Sequence, residues 1–401
     1  MPSSSKLAVH IPTFTLIRAI FNTPYRMIYP FLAIFARGLG VDLTAMSLAL
    51  TARSLVGTLN PIVASVADRR GRKFGMLFGT SLFLLGSALV AVWPTFPVLV
   101  AAMLLGTIGK YVFDPAMQAY LGDRIPYERR GQALAVTEIG WSLAFIAGVP
   151  LMGFLIARSG WMAPFPLMAV LGVLIFIGVT LMLPKDIRPP DGNPTMLANF
   201  RTVLTFAPAL AGLCIGTFTS TANELVNLLF GVWLEQSFGL KIAALGAAAA
   251  VIGISELSGE GLVAAFVDRL GKPRAVALGL GVNSLAALLL PLLGRTEAGA
   301  LAGLFLFYIS FEFTIVSSIP MMTEVLPEAR ATVMAFNVAF ISLGRAIGAP
   351  LATLLFRFGF PVVTVGAVLF NLLALLALRR MQRGLERKET PPPVSSGHPG
   401  T

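Results

Sequence analysis

Eleven ionisable side chains stand inside stretches that are otherwise apolar. The cations are Arg18, Arg26, Arg53, Lys110 and Arg345; the carboxylates are Asp114, Glu138, Glu224, Glu256, Glu260 and Glu312. A charged group in a low-dielectric segment is costly, so those that occur there pair, relay protons or hold a ligand. Five cations against six carboxylates is close to balance, and most are expected to pair. Lys110 and Asp114, four residues apart, share a helix face, which fits either a fixed ion pair or one switched by a proton or substrate. Glu256 and Glu260 also share a face. Two like charges one turn apart cannot both ionise cheaply, so one is expected to hold a proton, or both to meet cations such as Arg345. That behaviour suits proton coupling, with Asp114 and Glu312 as the next candidates. Arg26, between Pro24 and Pro30, and Arg53 could hold a substrate carboxylate. Glu224 is flanked by Asn223 and Asn227, and Glu138 could pair with Lys110 or Arg53. Arg18, near a span end, is expected to reach out to the interface and do no chemistry.

The parts for enzymatic chemistry are few. His10 and His398 lie outside the apolar spans, Cys214 is the only cysteine, and no phosphate-binding Gly-x-x-x-x-Gly-Lys-Ser/Thr loop occurs. No disulfide framework, metal site or cofactor is implied, and no catalytic residue is assigned. An enzyme within the membrane is the rival of another class, as is a channel or non-transporting receptor.

The elements that must position these charges are transmembrane helices. Hydrophobic residues make up 56% of the 401-residue chain and charged residues 12%, about half the charged share of a soluble domain, with a mean hydropathy of +0.82. Segments near 20 residues suffice to cross the hydrocarbon core as helices, and twelve are expected, at about 13–36, 43–66, 74–94, 97–120, 132–157, 161–183, 203–231, 242–266, 274–293, 298–322, 331–356 and 360–380. A β-barrel would alternate apolar and polar residues, whereas Leu82-Phe83-Leu84-Leu85 is apolar on every side. The chain therefore reads as an all-α integral membrane protein. Its expected organisation is a first six-helix bundle over 1–183, a linker over 184–202, a second bundle over 203–381 and a disordered tail over 382–401.

The net charge of +11 follows from topology rather than nucleic-acid binding. Of the 30 Lys and Arg residues, 20 fall in the terminal segments and loops on one side, 5 in the opposite loops and 5 within spans. By the positive-inside rule both termini are expected in the cytoplasm, the multi-pass chain lying in the plasma (inner) membrane. No cleavable signal peptide is visible, since Arg18 and Arg26 interrupt the first apolar segment.

The chain also repeats itself at an offset of 200 residues. Asp68-Arg69-Arg70-Gly71-Arg72-Lys73 returns as Asp268-Arg269-Leu270-Gly271-Lys272-Pro273, and five of the ten residues Ser142–Leu151 are identical to those of Ser342–Leu351. Two homologous apolar halves are the sign of a transporter built from repeats. At these basic loops the sequence resembles the major facilitator superfamily, whose signature between the second and third helices reads roughly Gly-x-x-x-Asp-Arg-x-Gly-Arg-Arg/Lys; Ala64 and Ala264 stand at its leading position.

The resemblance implies two six-helix bundles related by pseudo-symmetry around a central cavity lined by the first, fourth, seventh and tenth helices. It also implies a gating role for Asp68, Arg69, Gly71, Arg72 and Lys73 and for Asp268, Arg269, Gly271 and Lys272, with Arg72 paired to Asp123 and Lys272 to Glu324. The fifth helix, with Gly140, Gly148, Pro150 and Gly153, matches the drug-exporter branch in part, and Met103 stands where that branch has an arginine. Small residues spaced by four, Ala144 with Gly148 and Gly344 with Gly348, are expected to let the halves approach and slide. The function expected is secondary transport of a small molecule by a monomer, through proton-coupled efflux of an amphipathic or drug-like compound. Import of an organic anion or sugar-like metabolite is the alternative.

Overall fold

Backbone N–H and C=O groups have no partner in hydrocarbon, so an apolar segment that crosses it folds as a helix or closes into a barrel. In the computed structural model, which describes residues 4–61, 71–184 and 195–389, the elements are helices, with no strand among the described residues. They are α1 (Ser4–Met27), α2 (Leu32–Leu39), α3 (Leu43–Thr58), α4 (Arg72–Val92), α5 (Phe96–Gly122), α6 (Tyr127–Leu143), a π-turn (Ala144–Gly148), α7 (Val149–Ser159), α8 (Pro164–Met182), α9 (Thr195–Thr205), α10 (Ala207–Phe238), α11 (Ile242–Leu270), α12 (Lys272–Leu293), α13 (Glu297–Val325), a 3₁₀ turn (Pro327–Ala329), α14 (Arg330–Phe356) and α15 (Phe360–Glu389). Prolines open α8, α10 and α12 in the first turn, where their missing N–H costs nothing.

The expected twelve spans need correction in count and continuity. Among the described residues nine helices are individually long and apolar enough to cross a membrane. The first expected span is broken: α1 ends at Met27, the chain turns through Ile28–Phe31, and α2 resumes at Leu32. Pro30 accounts for the break, because it supplies no N–H and biases the residue before it away from helix. After α2 the chain bends by 111° into α3, with Gly40 in the left-handed conformation at the corner. α10 is not among the nine although it has 32 residues, for it carries Thr217, Thr219, Ser220, Thr221, Asn223, Glu224 and Asn227. The fifth expected span is one apolar stretch, Gln132–Ser159, carrying a π-turn that the sequence reading missed.

The helices form two groups, α1–α8 and α10–α15, whose apolar side chains share one core cluster running from Phe14 to Ala367. α14 packs along α3, and α11 packs along α6, the π-turn and α7. The side expected to carry most of the Lys and Arg residues, with the starts of α4 and α12, is here called the basic face. The groups also meet closely at the opposite face. A Cβ on Gly231 would stand 2.7 Å from Pro30 Cα, and one on Gly246 would stand 3.2 Å from Pro150 Cα. Arg37 bonds Glu235 at 2.6 Å there. The glycine pairs expected to form the sliding surface do something else. Gly148 abuts Thr23 of α1, while Gly344 and Gly348 abut α10 at Thr217 and Glu224. Each contact lies within its own group; the close approaches between groups run through Gly231, Gly246, Gly253 and Gly57 instead.

Candidate functional site

The intramembrane charges gather into two networks. The first begins on α1, where Arg18, 4% exposed, lies 2.7 Å from Glu138 of α6 and 3.3 Å from Asp114 of α5. Lys110 closes on Asp114 at 2.5 Å along the same helix. Arg18 is thus the hub of a buried cluster rather than an interfacial residue. Its burial is compensated by the paired charges of Asp114 and Glu138, without which a buried guanidinium would be costly. Glu138 has Arg18 as its partner, not Lys110 or Arg53. Two turns further along α1, Arg26 bonds Glu256 of α11 at 2.6 Å, donates to the Trp141 carbonyl at 3.0 Å, and lies 3.5 Å from the centre of the Phe145 ring. Both Arg26 and Glu256 are 3% exposed. This ion pair joins the two groups of helices, and it answers the expectation for Glu256 with Arg26 in place of Arg345.

The second network lies beside the first. Arg53 of α3 donates to the Tyr29 hydroxyl at 2.7 Å and to the Tyr25 carbonyl at 2.7 Å. Tyr29 in turn donates to Glu224 of α10 at 3.1 Å. Arg345 of α14 donates to the Tyr25 hydroxyl at 3.1 Å, and both Arg53 and Arg345 act electrostatically on Glu224. Glu224 is fully buried, held by hydroxyl and amide donors with Asn227 at 3.5 Å.

A cavity of about 560 Å³ separates the groups and is lined from both. Of the charged residues singled out in the sequence, Arg18, Arg26, Lys110, Glu138, Glu256, Glu260, Glu312 and Arg345 line it, whereas Arg53, Asp114 and Glu224 lie behind its wall. Its lining comes from α1, α5, α6, α10, α11, α13 and α14, and so from more helices than the four that the resemblance implied. Residues near the basic-face ends, Ala135, Ala264 and Ile319, line it and are exposed. At the other end the contacts of Pro30 with Gly231 and of Arg37 with Glu235 shut it. The cavity therefore reaches toward the basic face and is blocked from the opposite one.

Sequence reasoning missed the aromatic part of this site. Tyr25, Tyr29, Tyr111 and Tyr308 line the cavity, four of the six tyrosines in the chain. Tyrosine presents an apolar ring with a polar tip, so its concentration within apolar spans was the available signal. Trp141 is a second such residue, with Lys110 Nζ 5.8 Å and the Arg345 guanidinium 5.7 Å from its ring.

The loop residues assigned to gating divide. Asp68 and Arg69 lie outside the described residues. Arg72 pairs with Asp123 at 3.5 Å, and Lys272 pairs with Glu324. Gly71 and Gly271 both have positive φ, 105° and 79°, a region that disfavours any residue with a Cβ, which explains a glycine at this position of both copies. Lys73 donates to the Thr180 and Leu183 carbonyls at 2.7 Å each and so caps the end of α8. Asp268 and Arg269 are exposed at the end of α11.

A sequence profile described as Major Facilitator Superfamily matches residues 14–325 and 212–399. The chain is 26% identical over 364 residues to the inner membrane transport protein YdhP of Escherichia coli (strain K12), covering 86% of this chain and 89% of that one. It is 23% identical over 306 residues to the uncharacterized MFS-type transporter YceJ of Bacillus subtilis (strain 168), covering 74% and 76%. Its fold matches a bacterial homolog of the human lysosomal transporter Spinster in an inward-facing conformation, with a TM-score of 0.78 at 14% identity over 98% of this chain and 100% of that one. A D-xylose-proton symporter matches with a TM-score of 0.72 at 16% identity over 91% and 96%. With two groups of helices around one charged cavity and a profile match spanning nearly its whole length, the chain belongs to the major facilitator superfamily of transporters.

Proposed function

We propose that this protein is a secondary active transporter that exports a small amphipathic molecule across the plasma (inner) membrane by alternating access, in exchange for protons. The observation that carries this reading is the cavity, lined by both groups, reaching toward one face and shut at the other by contacts between the groups. Such contacts can break as their counterparts at the basic face form. With both termini in the cytoplasm, as the basic residues suggest, this geometry is the inward-facing state, and Arg72–Asp123 and Lys272–Glu324, each formed within one group, tie neighbouring helix ends together.

For proton coupling, the pairing of Glu256 with Arg26 moves the leading role to Glu260 and Glu312. A carboxylate that faces a cavity in an apolar span without an ion-pair partner can bind and release a proton as its surroundings change. Import of an organic anion is disfavoured, because Arg26 and Arg53, the residues suited to hold a carboxylate, already have partners. The experiment is counterflow by the purified protein in vesicles across a panel of compounds, with and without a pH difference. Saturable exchange, with uphill accumulation only under the gradient, is expected. Absence of exchange for every compound, or a non-saturable flux, would overturn the reading.

A further inference from the structure

The intramembrane charges come within one of balance, but they are unevenly distributed around the cavity. In the network built on Arg18, Lys110 and Arg26, three cations face five carboxylates: Asp114, Glu138, Glu256, Glu260 and Glu312. The cations are committed, Arg18 and Lys110 to Asp114 and Glu138, Arg26 to Glu256. Among the described residues no ion pair reaches Glu260 or Glu312. Arg345, the remaining cation on the cavity wall, bonds Tyr25 and attracts Glu224 and Glu312 without an ion pair to either.

Backbone packing forces the surplus carboxylates together. α11 crosses α13 so closely at Gly259 that a Cβ there would stand 2.9 Å from Glu312 Cβ. Glu312 therefore sits against the stretch that carries Glu256 and Glu260, and all three line the cavity. Glu312 is 8% exposed and Glu256 3%. One buried oxygen among these acids lacks a partner: Glu256 Oε2 accepts no hydrogen bond, Oε1 alone being taken by Arg26. Buried polar atoms are rarely left unpaired, because each forfeits its hydration without return. Phe311, Ile315 and Ile319 continue the α13 wall from Glu312, giving an apolar surface next to the acids.

Resting on the transport reading above, we infer that the substrate is an organic cation whose positive nitrogen or phosphorus centre sits among Glu256, Glu260 and Glu312, its apolar groups lying on Phe311, Ile315 and Ile319. A cation there supplies the missing charge, and an anion would add to the surplus.

The test uses two probes of the same size and shape and opposite charge, tetraphenylphosphonium and tetraphenylborate, titrated calorimetrically into the purified full-length protein in lipid nanodiscs. The phosphonium is expected to bind saturably and at least tenfold more tightly than the borate. E260Q/E312Q is expected to weaken it at least tenfold, while E297Q, removing a carboxylate from the exposed start of α13, binds as the unaltered protein does. Equal or tighter borate binding, or undiminished phosphonium binding by E260Q/E312Q, would overturn the inference. A second measurement needs no variant: phosphonium should protect Glu260 and Glu312 from modification by dicyclohexylcarbodiimide, read by peptide mass, and the borate should not. Unchanged modification under saturating phosphonium would also overturn it. The two readings fail separately. Saturable exchange of other compounds by a protein that does not bind phosphonium would sink the cation class alone. Phosphonium bound but no compound exchanged would sink transport and leave the cation site.

Discussion

At the scale of single residues, the most instructive pair is Arg26 with Glu256, 230 positions apart in sequence and 2.6 Å apart in space. Their types and depth were legible from the chain, and their partnership was not, because nothing local links α1 to α11. The i,i+4 pair Lys110–Asp114 was legible, since helix geometry alone brings it together. Arg18 was misread for the same reason that Arg26 was left open: its partners Asp114 and Glu138 arrive from other helices. Two predictions belong here. Asp114→Asn leaves Arg18 and Lys110 short of a counter-charge in a buried site, so it should destabilise the protein by roughly 3–5 kcal/mol; a lower melting temperature with reduced folded yield would show this, and an unchanged melt would refute it. Glu260→Gln and Glu312→Gln should leave the fold intact and reduce pH-driven accumulation at least tenfold, singly or together, while downhill exchange survives once the substrate concentration is raised to offset the weaker binding. Full uphill accumulation by the double variant would place the proton elsewhere.

At the scale of elements, apolar content showed that helices span a membrane, and it showed approximately where. It did not reveal the break at Ile28–Phe31 or the π-turn at Ala144–Gly148. Both are local departures from helix geometry within uniformly apolar sequence, and Pro30 was the only visible hint. The small residues were recognised as packing sites but given the wrong partners. Spacing tells that Gly344 and Gly348 lie on one face, and only the arrangement of helices tells that α10 of the same group meets that face. The contact to disturb is therefore Gly231 on Pro30, where a side chain would meet backbone that cannot yield without parting the groups. Gly231→Val should loosen the opposite face. In a Cys214→Ser background, Ala36→Cys, 4% exposed before substitution, should then label faster with an impermeant thiol reagent added at that face. Labelling equal to that with Gly231 intact would show that this crossing does not hold the closure.

For the whole molecule, the repeat at an offset of 200 residues foretold two related halves, and the charge asymmetry foretold a basic face. Neither could show a cavity between the halves or which end of it is shut. The account rests on that cavity being reached from one face at a time. The most direct measurement places a cysteine at Ile315, on its wall, in the Cys214→Ser background, and follows its reaction with a membrane-impermeant thiol reagent supplied from each face of oriented vesicles. The account predicts labelling from the basic face in the state described. It predicts labelling from the opposite face, with loss of the first, once a crosslink between Ala135→Cys and Ala264→Cys, which line the mouth of the cavity from opposite groups, holds the basic face shut. Labelling from both faces at once, or from the basic face alone under every condition, would contradict alternating access.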